Sequence, residues 1–181
     1  MVGMRIRAAI AVVAWLIAHA ATTAAESPPE SPAENGFTCL GPDSVTVQTM
    51  LEPLPADSTA LETYLWDHFI GSDLCGRFDC LVHRWRELWP AYAETLVVRA
   101  EAAGLDGASL RTCLAAVRDD VGRNAYLPIG ASRAVLRGEP VWVILVKWEW
   151  ADASLREVLG HTRAYVLDAK DGRRIFLASC S

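Results

Sequence analysis

The chain has 181 residues, of which 52% are hydrophobic and 22% charged, and a formal net charge of −5 at pH 7. A mildly acidic chain without a basic cluster is a poor candidate for binding nucleic acid or anionic lipid. Its length suits one domain of ordinary size that can bury a real core, so its cysteines need not hold the fold alone.

The N-terminus has the three parts of a secretory signal peptide: Arg5 and Arg7 in a short basic region, an apolar run from Ala8 to Ala18, and small residues around the exit. Two cleavage points fit, after Ala18-His19-Ala20 and after Thr23-Ala24-Ala25. A membrane anchor is the alternative, but the run of about 11 residues is shorter than the roughly 20 that span a bilayer. We therefore expect residues 1–25 to be cleaved and the mature protein to be periplasmic or extracellular, without membrane insertion.

Residues 26–38 (ESPPESPAENGFT) combine prolines, acids and serines, a composition that cannot bury a core and is typical of an extended linker. The folded part is expected to begin near Cys39 and to form a single α+β domain over residues 39–181. Within it, residues 39–104 are expected to be helical, and residues 105–181 to form one helix followed by strands.

The first part of the domain has helical spacing. Residues 59–62 (TALE) have the form of a capping box, and Leu61, Leu65 and Phe69 then recur at i, i+4 and i+8. Asp79 can cap a second helix, which Pro90 should break or restart because its ring removes a donor and clashes with the preceding turn. A third helical stretch is predicted over residues 91–103.

The clearest helix begins at Asp106 or Gly107 and ends at Gly122. Its apolar residues form one stripe that should face the core: Leu110, Cys113, Leu114, Val117 and Val121.

From Gly130 onward the pattern has a period of two, which predicts a four-stranded antiparallel meander at residues 131–137, 140–150, 162–168 and 173–180. In the second strand, the face from Trp142 to Trp150 is wholly apolar and the face that begins at Val141 is apolar for half its length. Exposing that second face to water would be costly. We expect the helices before Gly104 to cover it, since Trp85 and Trp89 need a place to be buried; a partner protein is the alternative.

The chain has five cysteines, and in an oxidising compartment most of them should be paired. Cys113 and Cys180 are the first candidates for a disulfide, because one lies on the core stripe of a helix and the other on the last strand. That bridge would close a loop of more than 60 residues and would stabilise the fold by roughly 4 kcal/mol. Cys75 and Cys80 can close a small loop, or either can pair with Cys39.

The same region has four potential zinc ligands: Cys75, Cys80, His68 and His83. Their spacing is not that of a known zinc site, and an oxidising compartment favours disulfides. We therefore expect no metal and no other cofactor.

A catalytic alternative uses Cys80 as a nucleophile. At a predicted helix start the helix dipole would lower its thiol pKa, and His161 and Asp168 could supply a base and the group that orients it. Together with the strand at residues 160–166 (GHTRAYV), this pattern resembles NlpC-type cell-wall peptidases. The resemblance implies a thiol-dependent cell-wall hydrolase as the alternative function.

Residues 108–181 carry a second resemblance. One helix, an antiparallel meander and a closing hairpin at residues 164–175 (AYVLDAKDGRRI) are similar to PepSY-type domains. The resemblance implies a cystatin-like α+β module of the cell envelope that restrains proteases or serves as a binding or regulatory unit. The helices before Gly104 and the cysteines depart from that pattern, and no functional residues carry over.

Trp142, Trp148 and Trp150, with Lys147 and Glu149, could form an aromatic platform for a sugar or a peptide. Tryptophans at period two on an inner sheet face are also typical core residues. Since no convincing catalytic set emerges, the sequence predicts an exported, non-enzymatic binding or regulatory domain with structural disulfides, whose partner is a protein or a cell-envelope component.

Overall fold

The computed structural model describes residues 41–70, 78–81, 84–121, 124–150 and 158–180, with the main chain alone for 78–81, 158 and 180. All of them fall within one compact unit, Phe37–Ser181. The predicted signal peptide and linker lie outside the described residues. None of the helices described is long and apolar enough to cross a membrane.

The fold is α+β, and its centre is a five-stranded mixed sheet with the order β1-β3-β4-β6-β7. The strands are β1 Thr46–Thr49, β3 Ala125–Leu136, β4 Glu139–Glu149, β6 His161–Asp168 and β7 Arg174–Cys180. The neighbouring pairs β3–β4, β4–β6 and β6–β7 are antiparallel, whereas β1 runs parallel to β3. The prediction of a four-stranded, wholly antiparallel sheet is therefore wrong in strand number and in sheet type.

Strand β1 gives almost no signal in the sequence. Thr46, Gln48 and Thr49 are exposed and Val47 is half-buried, so the strand has no clean alternation of apolar and polar residues. Its hydrogen bonds to β3, in register from Thr46 opposite Gly130 onward, depend on a partner about 80 residues later in the chain. Local pattern cannot reveal such a pairing.

A second, two-stranded sheet joins β2, Phe78–Leu81, to β5, Val158–Leu159, in antiparallel orientation. The expectation that Asp79 caps a helix is wrong, because Asp79 lies within β2. The helix that follows is α2, Trp85–Ala102, and it continues through Pro90 without a break. Pro90 is exposed, while Trp89 and Tyr92 on either side of it are buried, so both halves of α2 are held on the same sheet.

The first helix, α1, spans Ser58–Leu65 and continues as a π-helical turn, Trp66–Ile70. The side chain of Asp57 caps it by accepting hydrogen bonds from the main-chain N–H groups of Thr59 and Ala60, each at 3.0 Å. The cap thus lies two residues earlier than the capping box at Thr59. The predicted stripe of Leu61, Leu65 and Phe69 is buried.

Helix α3 spans Gly107–Val121 and agrees with the prediction in its bounds and in its buried stripe. Asp106 caps it, accepting a hydrogen bond from the main-chain N–H of Ser109 at 2.9 Å. Its first turn is also joined to the sheet, since Ser109 Oγ donates to the carbonyl of Ala169 and accepts from the indole of Trp142.

Helices cover the sheet on both faces. Helices α2 and α3 pack on the face of β4 that carries Trp142 and Ile144, and α1 with its π turn packs on the face that carries Val141 and Val143. The expectation that an earlier helix covers the second face holds for α1. It is wrong for Trp85 and Trp89, which pack on the other face, each with its ring centroid 4.6 Å from that of Tyr126.

Candidate functional site

The five residues of the predicted aromatic platform do not form one surface. Trp142 is fully buried and its indole N–H donates to Ser109 Oγ at 3.0 Å, so it is a core residue. Lys147 lies on the opposite face of β4 and is also buried. Trp148, Glu149 and Trp150 remain, at the end of β4.

These three residues meet two side chains from β6. The register places Trp148 opposite His161 and Val146 opposite Arg163, so His161 and Arg163 flank Trp148 on the same face of the sheet. We call Trp148, Glu149, Trp150, His161 and Arg163 the tryptophan cluster.

Trp148 is the centre of the tryptophan cluster. The guanidinium carbon of Arg163 lies 3.7 Å from its ring centroid, which is cation–π distance. The ring of His161 lies 5.0 Å away, and the ring of Trp150 meets it edge-on, also at 5.0 Å. Trp148 is only 2% exposed, whereas Trp150 is 55% exposed. A ligand from solvent would therefore meet Trp150 first.

Glu149 and His161 form the polar side of the tryptophan cluster. The Nε2 atom of His161 lies 3.5 Å from Oε1 of Glu149, and both side chains are partly buried. Glu149 also accepts a hydrogen bond from the main-chain N–H of Trp150 at 3.0 Å, which fixes the carboxylate beside the exposed indole. Both contacts are made by one carboxylate oxygen, Oε1.

The donors of this face are less well satisfied. Among the described residues, three buried side-chain atoms lack a hydrogen-bond partner: Trp148 Nε1, Arg163 Nε and the hydroxyl of Tyr165. Tyr165 is the least isolated of the three, because its hydroxyl interacts with Arg163 and with Asp120; burial raises the pKa of this hydroxyl, whereas Arg163 lowers it. All three residues belong to the same face of β4 and β6.

The sequence alone did not identify Arg163 and Tyr165, and it predicted His161 as the base of the catalytic alternative. A signal for them was present: His161, Arg163 and Tyr165 alternate along β6 with the smaller residues Thr162 and Ala164. Only the register with β4, however, places that alternation beside Trp148.

The predicted catalytic set is not assembled as expected. His161 and Asp168 are the two ends of β6, about 23 Å apart at roughly 3.3 Å per residue, so Asp168 cannot orient His161. The group beside His161 is Glu149. Cys80 lies in β2, so the helix start that was expected to lower its thiol pKa does not occur at this residue.

The favoured disulfide between Cys113 and Cys180 is also wrong. Cys113 is a free, buried thiol whose Sγ donates to the carbonyl of Asp168 at 3.4 Å. Cys180 is opposite Thr162, at the other end of β6, about 20 Å away at roughly 3.3 Å per residue. A disulfide needs Cα atoms within about 7 Å. Burial, the main cause, raises the pKa of the Cys113 thiol to about 12.

The remaining cysteine and metal predictions fall largely outside the described residues. Cys39, Cys75 and His83 are not described, and Cys80 is described by its main chain alone. Within the described part, no group of three His, Cys, Asp or Glu side chains could hold a metal ion.

An open groove of about 490 Å³ lies along the outer side of α1, away from the tryptophan cluster. It is lined by Asp57, Asp67 and His68 among others, and the rings of Tyr64 and His68 stack at 3.9 Å along it. Among the described residues of the predicted sites, only His68, one of the four possible zinc ligands, lines this groove.

Comparison with known proteins gives no relative: no family model, no curated protein and no solved structure matches this chain.

Proposed function

We propose that this chain is an exported binding or regulatory domain that catalyses no reaction, and that it captures a protein or cell-envelope component at the tryptophan cluster. The observation that carries the proposal is the combination of the exposed indole of Trp150 with buried donors of Trp148 and Arg163 that lack partners. Exposed tryptophan beside arginine is the composition that dominates binding energy at many protein interfaces.

The leader-like N-terminus supports export. The basic start, short apolar run and small residues at the exit are the features that a secretion apparatus recognises. In this proposal the mature protein is periplasmic or extracellular.

A relation to PepSY-type, cystatin-like domains is the second part of the proposal, and it concerns residues 108–181. One helix, α3, followed by the antiparallel strands β3, β4, β6 and β7, is the arrangement that the resemblance implies. Strand β1, helix α1 and helix α2 would then be additions that extend the sheet and cover both of its faces.

Structural disulfides are the third part of the proposal. Because Cys113 is a free buried thiol, the odd cysteine of the five is identified, and four remain: Cys39, Cys75, Cys80 and Cys180. Four cysteines can form two disulfides in three ways. We propose that they do so after export.

Capture from an envelope extract by the immobilised mature protein tests the binding function. Trp150→Ala and Arg163→Gln should each weaken capture of a defined partner at least about tenfold. Val98→Ala is the matched control, because Val98 is 53% exposed on α2 and lies outside the tryptophan cluster. Equal capture by all four proteins would refute the assignment of binding to this site.

One observation favours a second candidate function, the thiol hydrolase. Strand β2, which carries Cys80, pairs with β5, and β5 ends two residues before His161. In this alternative Glu149 replaces Asp168 as the group beside His161. It requires Cys80 to be a reduced thiol, so labelling of the cysteines in the native protein separates the two functions.

A further inference from the structure

Two buried donors without an acceptor, Trp148 Nε1 and Arg163 Nε, lie on one face of two neighbouring strands. Arg163 on β6 is opposite Val146 on β4, and Trp148 is two residues farther along β4 on the same face. Leaving a buried donor without an acceptor carries the full cost of removing that group from water. Native proteins contain few such atoms, so their grouping beside an exposed indole points to a partner that this chain does not itself supply.

The chemistry of these atoms defines that partner. An indole N–H and a guanidinium N–H can only donate, so the missing group must be an acceptor. The guanidinium also favours a negative charge, and no carboxylate of the described residues forms an ion pair with Arg163.

The neighbouring acids are already engaged. Asp120 is 2.5 Å from the guanidinium of Arg174, and Glu149 is shared between His161 and the main chain of Trp150. The buried atoms without a partner on Trp148 and Arg163 can only donate, so the ligand must supply acceptors to them. A sugar hydroxyl presents a donor as well as acceptors, whereas a carboxylate presents acceptors alone. The balance of groups favours a carboxylate.

We propose that the tryptophan cluster binds a carboxylate group of a peptide ligand through Arg163 and the indole N–H of Trp148, with an adjoining apolar side chain of the peptide against Trp150. This inference rests on the proposed binding function and names its ligand chemistry. The carboxylate can belong to the chain terminus or to an acidic side chain, since both present the same two oxygens.

Binding requires a local movement. The Nε1 atom of Trp148 is closed to solvent, so the carboxylate reaches it when one of the covering side chains moves. Trp150 is the exposed neighbour, and its indole contacts Trp148 edge-on rather than through a hydrogen bond. The ligand therefore changes the surroundings of both indoles.

The test is a titration of the mature protein with N-acetyl-Leu-Phe carrying a free carboxylate, followed through the indole N–H signals in nitrogen-15 NMR spectra. The Trp148 signal is identified by its loss in Trp148→Phe. We expect the free acid to shift this signal, and the C-terminal amide of the same peptide to bind at least about tenfold more weakly, as the loss of one charged hydrogen bond predicts.

Two further ligands identify the source of the carboxylate. Amidated N-acetyl-Leu-Glu-Phe carries its only carboxylate in a side chain, so its binding would support recognition of acidic side chains. If this peptide does not bind but the free-acid peptide does, the site recognises the carboxylate of the chain terminus. Glucuronate supplies a carboxylate on a sugar ring. Tighter binding of glucuronate than of either peptide would overturn the assignment to peptides.

Variants complete the test. Arg163→Gln should weaken binding of the free-acid peptide at least about tenfold. Arg163→Lys keeps the charge but loses the planar fork, so its affinity should lie between those of wild type and Arg163→Gln. Arg111→Gln is the matched control, because Arg111 is an exposed arginine of α3 paired with Glu94. If no carboxylate shifts the Trp148 signal in the folded protein, the ligand class is wrong, while capture that depends on Trp150 would still support the binding function.

Discussion

The guanidinium carbon of Arg163 lies 3.7 Å from the centroid of the Trp148 ring, on neighbouring strands. At this distance the cation and the ring stabilise each other by about 0.5–2 kcal/mol. The contact also holds the charge of Arg163 at the edge of a buried aromatic layer that continues from Trp148 across β3 to Tyr126 and Trp89. A ligand bound at Arg163 would therefore lie beside this buried aromatic layer.

The tryptophans of β4 should differ sharply in their effect on stability. Trp142→Phe removes a buried hydrogen bond to Ser109 and leaves a cavity, so we expect a loss of about 2 kcal/mol in the free energy of unfolding. Trp150→Phe changes an exposed ring and should stay within about 0.5 kcal/mol of wild type. Urea unfolding measures both; a large loss at position 150 would show that Trp150 is a core residue.

Lys147 should make stability depend on pH. Burial lowers its pKa from 10.5 to about 8 in the folded protein, so between pH 8 and 10.5 the unfolded state binds more protons than the folded state. The free energy of unfolding must therefore rise with pH across this window, by up to about 3 kcal/mol, and this contribution is lost as pH falls toward 8.

The control is Lys147→Met, which keeps a long apolar side chain and removes the titrating group. Other groups titrate in the same range in both proteins; burial raises the pKa of Tyr126 to about 12, for example, which favours the folded state below that pH. The difference between wild type and Lys147→Met isolates the lysine. A difference that stays constant from pH 7 to pH 10 would contradict the predicted slope.

Much of the fold could be predicted where the signal is local. A few neighbouring residues are enough to predict the apolar stripe of α3, from Leu110 to Val121. The same is true of the turns at Gly138 and Gly172. Strand β1 and the β2–β5 pair could not be predicted, because each depends on hydrogen bonds to a distant strand. The helix break predicted at Pro90 was wrong because packing of α2 on the sheet overrides the local preference of proline.

The candidate site was predicted in part. Alternation along β4 correctly grouped Trp148 with Trp150, but it also included Trp142, because a face gives no information on which of its residues a helix covers. Lys147 and Glu149 both lie on the other face by alternation; Lys147 is buried there, whereas Glu149, at the end of β4, lies beside His161. Arg163 required the register between β4 and β6, which the residue types alone do not determine.

Cysteine labelling should find Cys113 as the sole free thiol of the exported protein. Iodoacetamide at pH 8 should leave Cys113 unlabelled in the native state, because the thiol is fully buried and its pKa is raised to about 12. In urea without reductant Cys113 should become labelled, while Cys39, Cys75, Cys80 and Cys180 stay blocked as disulfides. Mass spectrometry of the digest identifies the labelled cysteines.

Cys113→Ala is the control for that experiment, since it should remove all label from the unfolded, unreduced protein. A fast-reacting Cys80 in the native state would contradict the disulfide proposal. It would also make the hydrolase alternative the function to test, because a nucleophilic cysteine must be reduced and accessible.

The closing hairpin should be docked on α3 through Gly172. This residue has a φ of 74°, and a Cβ atom there would lie 3.2 Å from the carbonyl oxygen of Thr112 and 3.3 Å from Cβ of Ala116. Gly138 has a φ of 84° but open space around it, so it shares the backbone requirement without the contact.

Gly138→Ala should lower the free energy of unfolding by about 1–2 kcal/mol for the left-handed conformation alone. Gly172→Ala should cost about 1 kcal/mol more, because the main chain of α3 cannot move aside as a side chain can. Equal losses in urea unfolding would mean that the hairpin does not pack against α3 in solution.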